Sequence, residues 1–222
     1  MNLPFTTGQF LAVFEEYNRS VWPMQIFLNL LGILAIVLAF RKIRHADKTI
    51  ACILVFLWTW IGVAYHFAFF TSINPAAHVF AVLNVLQALI FLIFGVLRSR
   101  LTFRFRRDIY GITATLFVLY ALIIYPVLGL FAGHIYPRSP TFGLPCPTTI
   151  FTLGVLLWTE ASVPKVVLII PFLWSLIGFT AAVTMGMRED YGLLIAGVAS
   201  LVMIIWRDRR IRTPGDTVPH ST

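Results

Sequence analysis

The chain has 222 residues, of which 59% are apolar and only 12% are charged, and its mean hydropathy is +0.87. A soluble core of this length cannot hide so much apolar side chain, so the composition excludes an ordinary soluble domain and predicts a protein embedded in a lipid bilayer. The net charge of +8 lies in short runs between apolar segments. This distribution excludes a nucleic-acid partner, which needs a basic patch on a soluble fold, and is typical of loops that face an anionic lipid surface.

The first 20 residues predict a short amphipathic helix. Thr6 or Thr7 can cap its N-terminus, because a hydroxyl can accept a hydrogen bond from a free backbone N–H of the first turn. Three aromatic residues then fall on one helix face, at Phe10, Phe14 and Tyr17. We expect segment 1–20 to lie along the outer membrane surface.

Seven apolar runs follow this segment. An apolar helix needs about 20 residues to cross the hydrocarbon layer. Six runs have about that length and the fifth is shorter; they lie near residues 21–40, 50–70, 77–97, 109–131, 148–162, 164–186 and 190–206. The status of the short run therefore determines the topology.

The distribution of basic residues favours seven crossings. If every run crosses, fourteen of the 17 lysines and arginines lie on one side and only Arg19, Arg138 and Arg188 lie on the other. Such a bias is typical of the cytoplasmic side of a membrane. The sequence thus predicts an all-α, polytopic transmembrane bundle of about seven spans over residues 21–206. Its N-terminus would be outside, and residues 207–222 would form a basic, disordered cytoplasmic tail.

Several polar residues of the spans fall in the outer half of the predicted bundle. They are Gln25, Asn29, His66, Asn84, Gln87, Tyr125 and Thr149. Their shared depth predicts an outward-facing pocket for a small solute or ion. The alternative is that each amide or hydroxyl only bonds a neighbouring helix, as is common in membrane proteins. The nearest carboxylate is expected to be Glu160, near the cytoplasmic end of the fifth span. The scarcity of acid or base groups argues against a proton relay and against an enzyme.

Four potential metal ligands also belong to the outer mouth: His66, His78, His134 and Cys146. Imidazole and thiolate suit a soft transition metal, and histidine can also bind haem. No pair of these residues has a tight spacing such as CxxC, so a shared site would depend on tertiary packing.

Three segments of the chain resemble a known family. They are MNLPFTTGQFLAVFEEYNRSVWPMQ, WTWIGVAYHFAFFTSINPAAHVFAVLNVLQ and HIYPRSPTFGLPCPTTIFTLG. They are similar to an uncharacterised bacterial family of small polytopic membrane proteins, a domain of unknown function of which some members carry a permease label. The resemblance implies a location in the bacterial inner membrane and supplies no functional residues.

Three functional hypotheses follow. The first is a transporter-like or permease-like bundle with the outward pocket. The second is a membrane-embedded metal or haem protein, acting in redox chemistry or sensing, that uses the outer histidines and the cysteine. The third is an accessory subunit that packs against partner membrane subunits, or a homo-oligomer.

Overall fold

The computed structural model describes residues 4–41 and 43–212. These residues form nine α-helices and, within the described ranges, no β-strand. The helices are α1 (Thr7–Ser20), α2 (Met24–Arg41), α3 (Ala46–Trp60), α4 (Ala77–Phe91), α5 (Ile109–Leu119), α6 (Tyr125–Phe131), α7 (Pro145–Leu157), α8 (Val166–Met185) and α9 (Tyr191–Arg212). The predicted all-α class is confirmed.

Three of these helices are extended by a wider π-helical segment. The segments are Ile61–Phe67 after α3, Leu92–Leu97 after α4 and Tyr120–Ile124 between α5 and α6. A π-turn adds a residue to the turn and thereby rotates the side chains that follow it. Two short 3-10 helices complete the fold, at Phe70–Ser72 and Arg188–Asp190.

Six helical segments in the described part of the chain are long and apolar enough to cross a membrane. They are Met24–Arg41, Ala46–Ser72, Ala77–Leu97, Ile109–Phe131, Val166–Met185 and Arg188–Arg210. Many large apolar side chains point away from the bundle, including Phe131 and Leu97. This arrangement fits a lipid solvent, and the chain is a multi-pass membrane protein. The shorter run, α7, has 13 residues.

The chain segments at one end of the bundle carry most of the arginines, and we call this the basic end. The backbone N–H of Arg104 donates to the carbonyl of Trp158 at 2.9 Å. The N–H of Phe103 donates to Asp47 Oδ1 at 2.7 Å. Arg207 is buried here and donates to the carbonyl of Thr159 at 2.8 Å. These contacts join the C-terminus of α7 to the segment before α5 and to α9, and they join the segment before α5 to the start of α3.

The opposite end, which we call the site end, is closed by α1 and by the loop 132–144. Asn18 of α1 donates from Nδ2 to the carbonyls of Pro137 and Ser139 at 2.7 and 2.8 Å. The N-terminus of α7 begins directly after this loop. The two ends of α7 therefore contact opposite ends of the bundle.

Helix α7 is the central element of the bundle. All of its residues except Cys146 are buried. It packs closely on α5, since a Cβ atom at Gly154 would lie 3.0 Å from the carbonyl oxygen of Ala114. Small residues that allow such close approach are common between membrane helices.

The first and last helices of the described chain test the predictions for the two terminal segments. Thr6 is the N-cap of α1, as predicted, and its hydroxyl accepts from the backbone N–H of Gln9. At the other terminus, α9 continues through Arg207 to Arg212, so residues 207–212 of the predicted tail are helical. The rest of that tail, residues 213–222, lies outside the described residues.

Candidate functional site

A cavity of about 240 Å³ lies at the site end, beneath α1. Eight phenylalanine, tyrosine and tryptophan rings from several elements form part of its wall. The rings include Phe10 and Phe14 from α1, Tyr65 from the π-segment after α3, Phe80 from α4 and Trp174 from α8. A cavity with such a wall excludes most ions in their hydrated form and suits a ligand with an apolar body.

His66 enters this wall because of the π-segment Ile61–Phe67. The segment packs tightly on α4, since a Cβ atom at Gly62 would lie 2.9 Å from the carbonyl oxygen of Ala81. The His66 side chain is fully buried, and its ring centroid lies 5.0 Å from that of Trp174 and 5.6 Å from that of Phe80. Neither ring nitrogen has a hydrogen-bond partner within the described residues. The imidazole can therefore offer a donor and an acceptor to a ligand.

Asp190 forms the second polar part of the wall. The residue is 5% exposed and lies in the 3-10 turn that precedes α9. The phenol of Tyr125 donates to Asp190 Oδ1, and the thiol of Cys146 lies within hydrogen-bonding reach of the same carboxylate. Tyr125 is presented by the π-segment Tyr120–Ile124, directly before the Pro126 ring. All three groups border the cavity.

Glu189 lies next to Asp190 but is directed to a different partner. Its side chain is fully buried, and Oε1 lies 2.6 Å from Nδ1 of His134. The phenol of Tyr120 donates to the Glu189 carbonyl at 2.7 Å. The turn Arg188–Asp190 is thus held by the loop after α6 and by the π-segment before α6.

Sequence reasoning missed both carboxylates. The expected nearest acid, Glu160, lies at the basic end, where it pairs with Arg104 at 3.2 Å. Glu189 and Asp190 directly precede the last apolar run, and a position before a helix is typical of solvated loop residues. The sequence did carry one signal for them. Both acids lie on the side of the predicted bundle opposite the basic clusters, so a basic lysine or arginine cluster is not there to pair with them.

The predicted pocket residues do not all converge on the cavity. His66 and Tyr125 line it. The amides mostly bond backbone carbonyls: Gln25 donates to Asn18, Asn29 to Gln25, Asn84 to Phe80 and Gln87 to Val167. Thr149 is buried, and its hydroxyl has no partner within the described residues.

The four predicted metal ligands are also separated. His66 and Cys146 line the cavity, whereas His134 pairs with Glu189. His78 is exposed, and its Nδ1 lies 3.1 Å from the carbonyl of Pro75. Across residues 4–41 and 43–212, no group of three or more His, Cys, Asp or Glu side chains could hold a metal ion together.

Helix α1 covers the cavity and is anchored beside it. The indole N–H of Trp60 donates to the phenol oxygen of Tyr17 at 2.7 Å. Burial raises the pKa of Tyr17 to about 12, and the hydrogen bond from Trp60 opposes that shift only in part. The phenol therefore stays neutral at physiological pH and remains a fixed anchor of α1.

Residues 7–214 match the model of DUF6064, a family of unknown function. The chain belongs to this family. Neither a curated protein nor a solved structure is significantly similar to the chain. The match includes every helix that borders the cavity, from α1 to the turn Arg188–Asp190.

Proposed function

We propose that the protein is a permease-like bundle of the bacterial inner membrane that binds a small solute at its outer end. The observation that carries the proposal is the cavity of about 240 Å³, whose wall includes buried polar groups that have no hydrogen-bond partner in the described part of the chain. An unpartnered buried polar group costs about 1–3 kcal/mol. A ligand that bonds His66 would recover that cost.

We infer a seventh crossing by α7, and this count sets the membrane orientation of the site. Helix α7 is about 20 Å long at 1.5 Å per residue, and its flanking loops reach both ends of the bundle. If α7 counts as a span, the basic end faces the cytoplasm and the site end faces outward, in agreement with the positive-inside rule. The N-terminus is then outside and the C-terminus inside.

We infer a route from the cavity toward the basic end from two further polar groups, neither of which lines the cavity itself. Thr149 lies one helical turn below Cys146 on α7, and Gln87 lies further along α4. The Thr149 hydroxyl and the Gln87 Oε1 are both buried without partners in the described structure. These atoms can bond a solute, or water that accompanies it. Between them and the basic end, the core is packed with large side chains such as Trp58 and Phe151. Passage therefore requires the helices to move, as in alternating access.

Binding and uptake can be tested on the same protein. The full chain is purified into lipid nanodiscs, and its melting temperature and calorimetric binding are measured with phenethyl alcohol, phenethylammonium and phenylacetate. Any probe that binds is then offered in radiolabelled form to proteoliposomes, with empty liposomes as the baseline. We expect saturable binding of at least one probe and uptake above that baseline.

A pair of variants shows whether the cavity is the site. Ala181 lines the cavity, whereas Ala132 is exposed at the same end of the bundle. Ala181→Phe fills the cavity and should abolish binding and uptake, while Ala132→Phe should leave both unchanged. Absence of binding by all three probes contradicts the proposed site. Binding without uptake contradicts the permease role.

A further inference from the structure

The charges around the cavity are unbalanced. Asp190 and Glu189 are adjacent and buried, and no lysine or arginine of the described chain lines the cavity. Glu189 has His134 as its partner. Within the described ranges no basic side chain forms an ion pair with Asp190, whose neighbours are the neutral phenol of Tyr125 and the thiol of Cys146. A buried carboxylate is stable as an anion only if a positive charge compensates it.

Aromatic rings surround the same space. Tyr65 and Phe70 are stacked with centroids 5.6 Å apart, and Phe80 meets Trp174 edge to face at 5.3 Å. Ring faces carry partial negative charge and attract cations, most strongly where water is excluded. The wall therefore favours a positive charge without providing one.

His66 adds a directional acceptor. Its two ring nitrogens are buried and have no hydrogen-bond partner among the described residues, and the ring packs directly on Trp174. Trp174 in turn lies beside Cys146, since both approach the same face of Gly178. His66, Trp174, Cys146 and Asp190 are therefore neighbours along one wall. A ligand N–H group could donate to His66 or to Asp190 from within the cavity.

The solute class follows from these three observations and rests on the proposed function. We propose that the cavity binds a small primary or secondary organic ammonium with an apolar or aromatic body. The ammonium donates to the Asp190 carboxylate and to a His66 ring nitrogen, and the body packs among the rings. An engineered cavity of about 150 Å³ admits benzene. The space here is larger, which suits a single ring with a short amine-bearing chain.

Charge selectivity is measured with probes of matched size. Phenethylammonium, phenethyl alcohol and phenylacetate share a ring and a two-carbon chain and differ in charge. Dissociation constants are measured by calorimetry on the full chain in nanodiscs at neutral pH. We expect the cation to bind at least tenfold more tightly than the alcohol, equivalent to about 1.4 kcal/mol, and the anion not to bind.

Variants assign the selectivity to one side chain. Asp190→Asn preserves the acceptor for Tyr125 and removes the charge, so the tenfold preference for the cation should fall to about one. Asp208→Asn provides the control, because Asp208 is a partly buried carboxylate at the basic end, bonded to Ser162 and Val163. It should leave the preference unchanged. The melting curve and elution profile of each variant check folding.

The outcomes separate the two proposals. If the alcohol binds as tightly as the cation to the wild type, the cavity binds solutes but the ammonium assignment is wrong, and this result needs no variant. A preference that survives in Asp190→Asn also contradicts the assignment. If no probe of any charge binds, the proposed function itself fails.

Discussion

Nδ1 of His134 lies 2.6 Å from Oε1 of Glu189, and this contact joins the loop after α6 to the turn that begins α9. The carboxylate is fully buried, and the imidazole is mostly buried. The contact holds the turn whose next residue, Asp190, enters the cavity. Its loss should therefore affect both stability and the site.

Glu189→Gln keeps an oxygen that can accept from His134 but removes the charge, so it should destabilise the protein by about 1 kcal/mol, which is the difference between a buried hydrogen bond to a charged group and one to a neutral group. The measurement is the melting temperature in nanodiscs. Glu15→Gln is the control, since Glu15 forms an exposed ion pair with Arg19 on α1. Exposed helix pairs contribute about 0.5 kcal/mol or less. Equal effects of the two substitutions would contradict a structural role for the His134 contact.

Asn18→Asp should loosen the loop 132–144 from α1. The substitution keeps the oxygen that accepts from Thr141 at 2.9 Å, but it removes the two N–H groups that donate to the carbonyls of Pro137 and Ser139. We expect a loss of about 2 kcal/mol and faster amide hydrogen exchange confined to that loop and α1. Unchanged exchange in the loop would show that other contacts hold it.

Gly197→Ala should disrupt the packing of α8 against α9. A Cβ atom at Gly197 would lie 2.0 Å from the Ser175 hydroxyl oxygen, and Ser175 is fully buried. Overpacking of this kind costs about 1–3 kcal/mol. Gly8→Ala is the matched control, because the nearest atom to its Cβ would be 3.9 Å away in the first turn of α1. That variant should melt at the same temperature as the wild type or higher, since alanine favours a helix over glycine by up to about 1 kcal/mol.

Arg207→Lys should weaken the C-terminus of α7. The guanidinium donates to the carbonyl of Thr159 at 2.8 Å and to its hydroxyl at 3.0 Å. Lysine keeps the charge but not the planar fork that reaches both atoms. We expect a loss of about 2 kcal/mol, measured by thermal melting. The control Arg210→Lys changes an exposed residue that stacks on Trp206 and should have little effect. A similar loss in both variants would assign the effect to the basic end in general.

The ionised carboxylate of Asp108 should stabilise the folded protein at neutral pH but not at low pH. It caps α5 by accepting from the backbone N–H of Gly111 at 3.0 Å. Partial burial opposes ionisation, but the hydrogen bonds from Arg106 and Gly111 outweigh it and lower the pKa of Asp108 below its usual value of 3.8. Because the folded-state pKa is lowered, the contribution is complete above the unfolded-state pKa and is lost as the pH falls through the folded-state value. The difference in melting temperature between wild type and Asp108→Asn should therefore be present at pH 7 and disappear at low pH. A constant difference would contradict this assignment.

Only some of the residues that line the cavity could be predicted from the sequence. Sequence reasoning selected His66 and Tyr125, which line the cavity, but it also selected Gln25 and Asn84, whose amides bond nearby backbone carbonyls. An amide in a helix can donate to the carbonyl one turn earlier, as Asn84 does to Phe80. The sequence does not show whether an amide forms this bond or faces a pocket. Asp190 was overlooked because nothing in its local sequence shows that the turn before α9 folds inward.

The sequence by itself determined the lipid solvent, the helical class and the positions of the long apolar helices, because these properties depend on hydropathy and length along a continuous segment. Only the tertiary structure decided which polar groups meet at the site end. The π-segment at Ile61–Phe67 aims His66 inward, and the turn Arg188–Asp190 buries two acids. Both features arise from packing between different chain segments, and such packing leaves no periodic signal in the residues that take part.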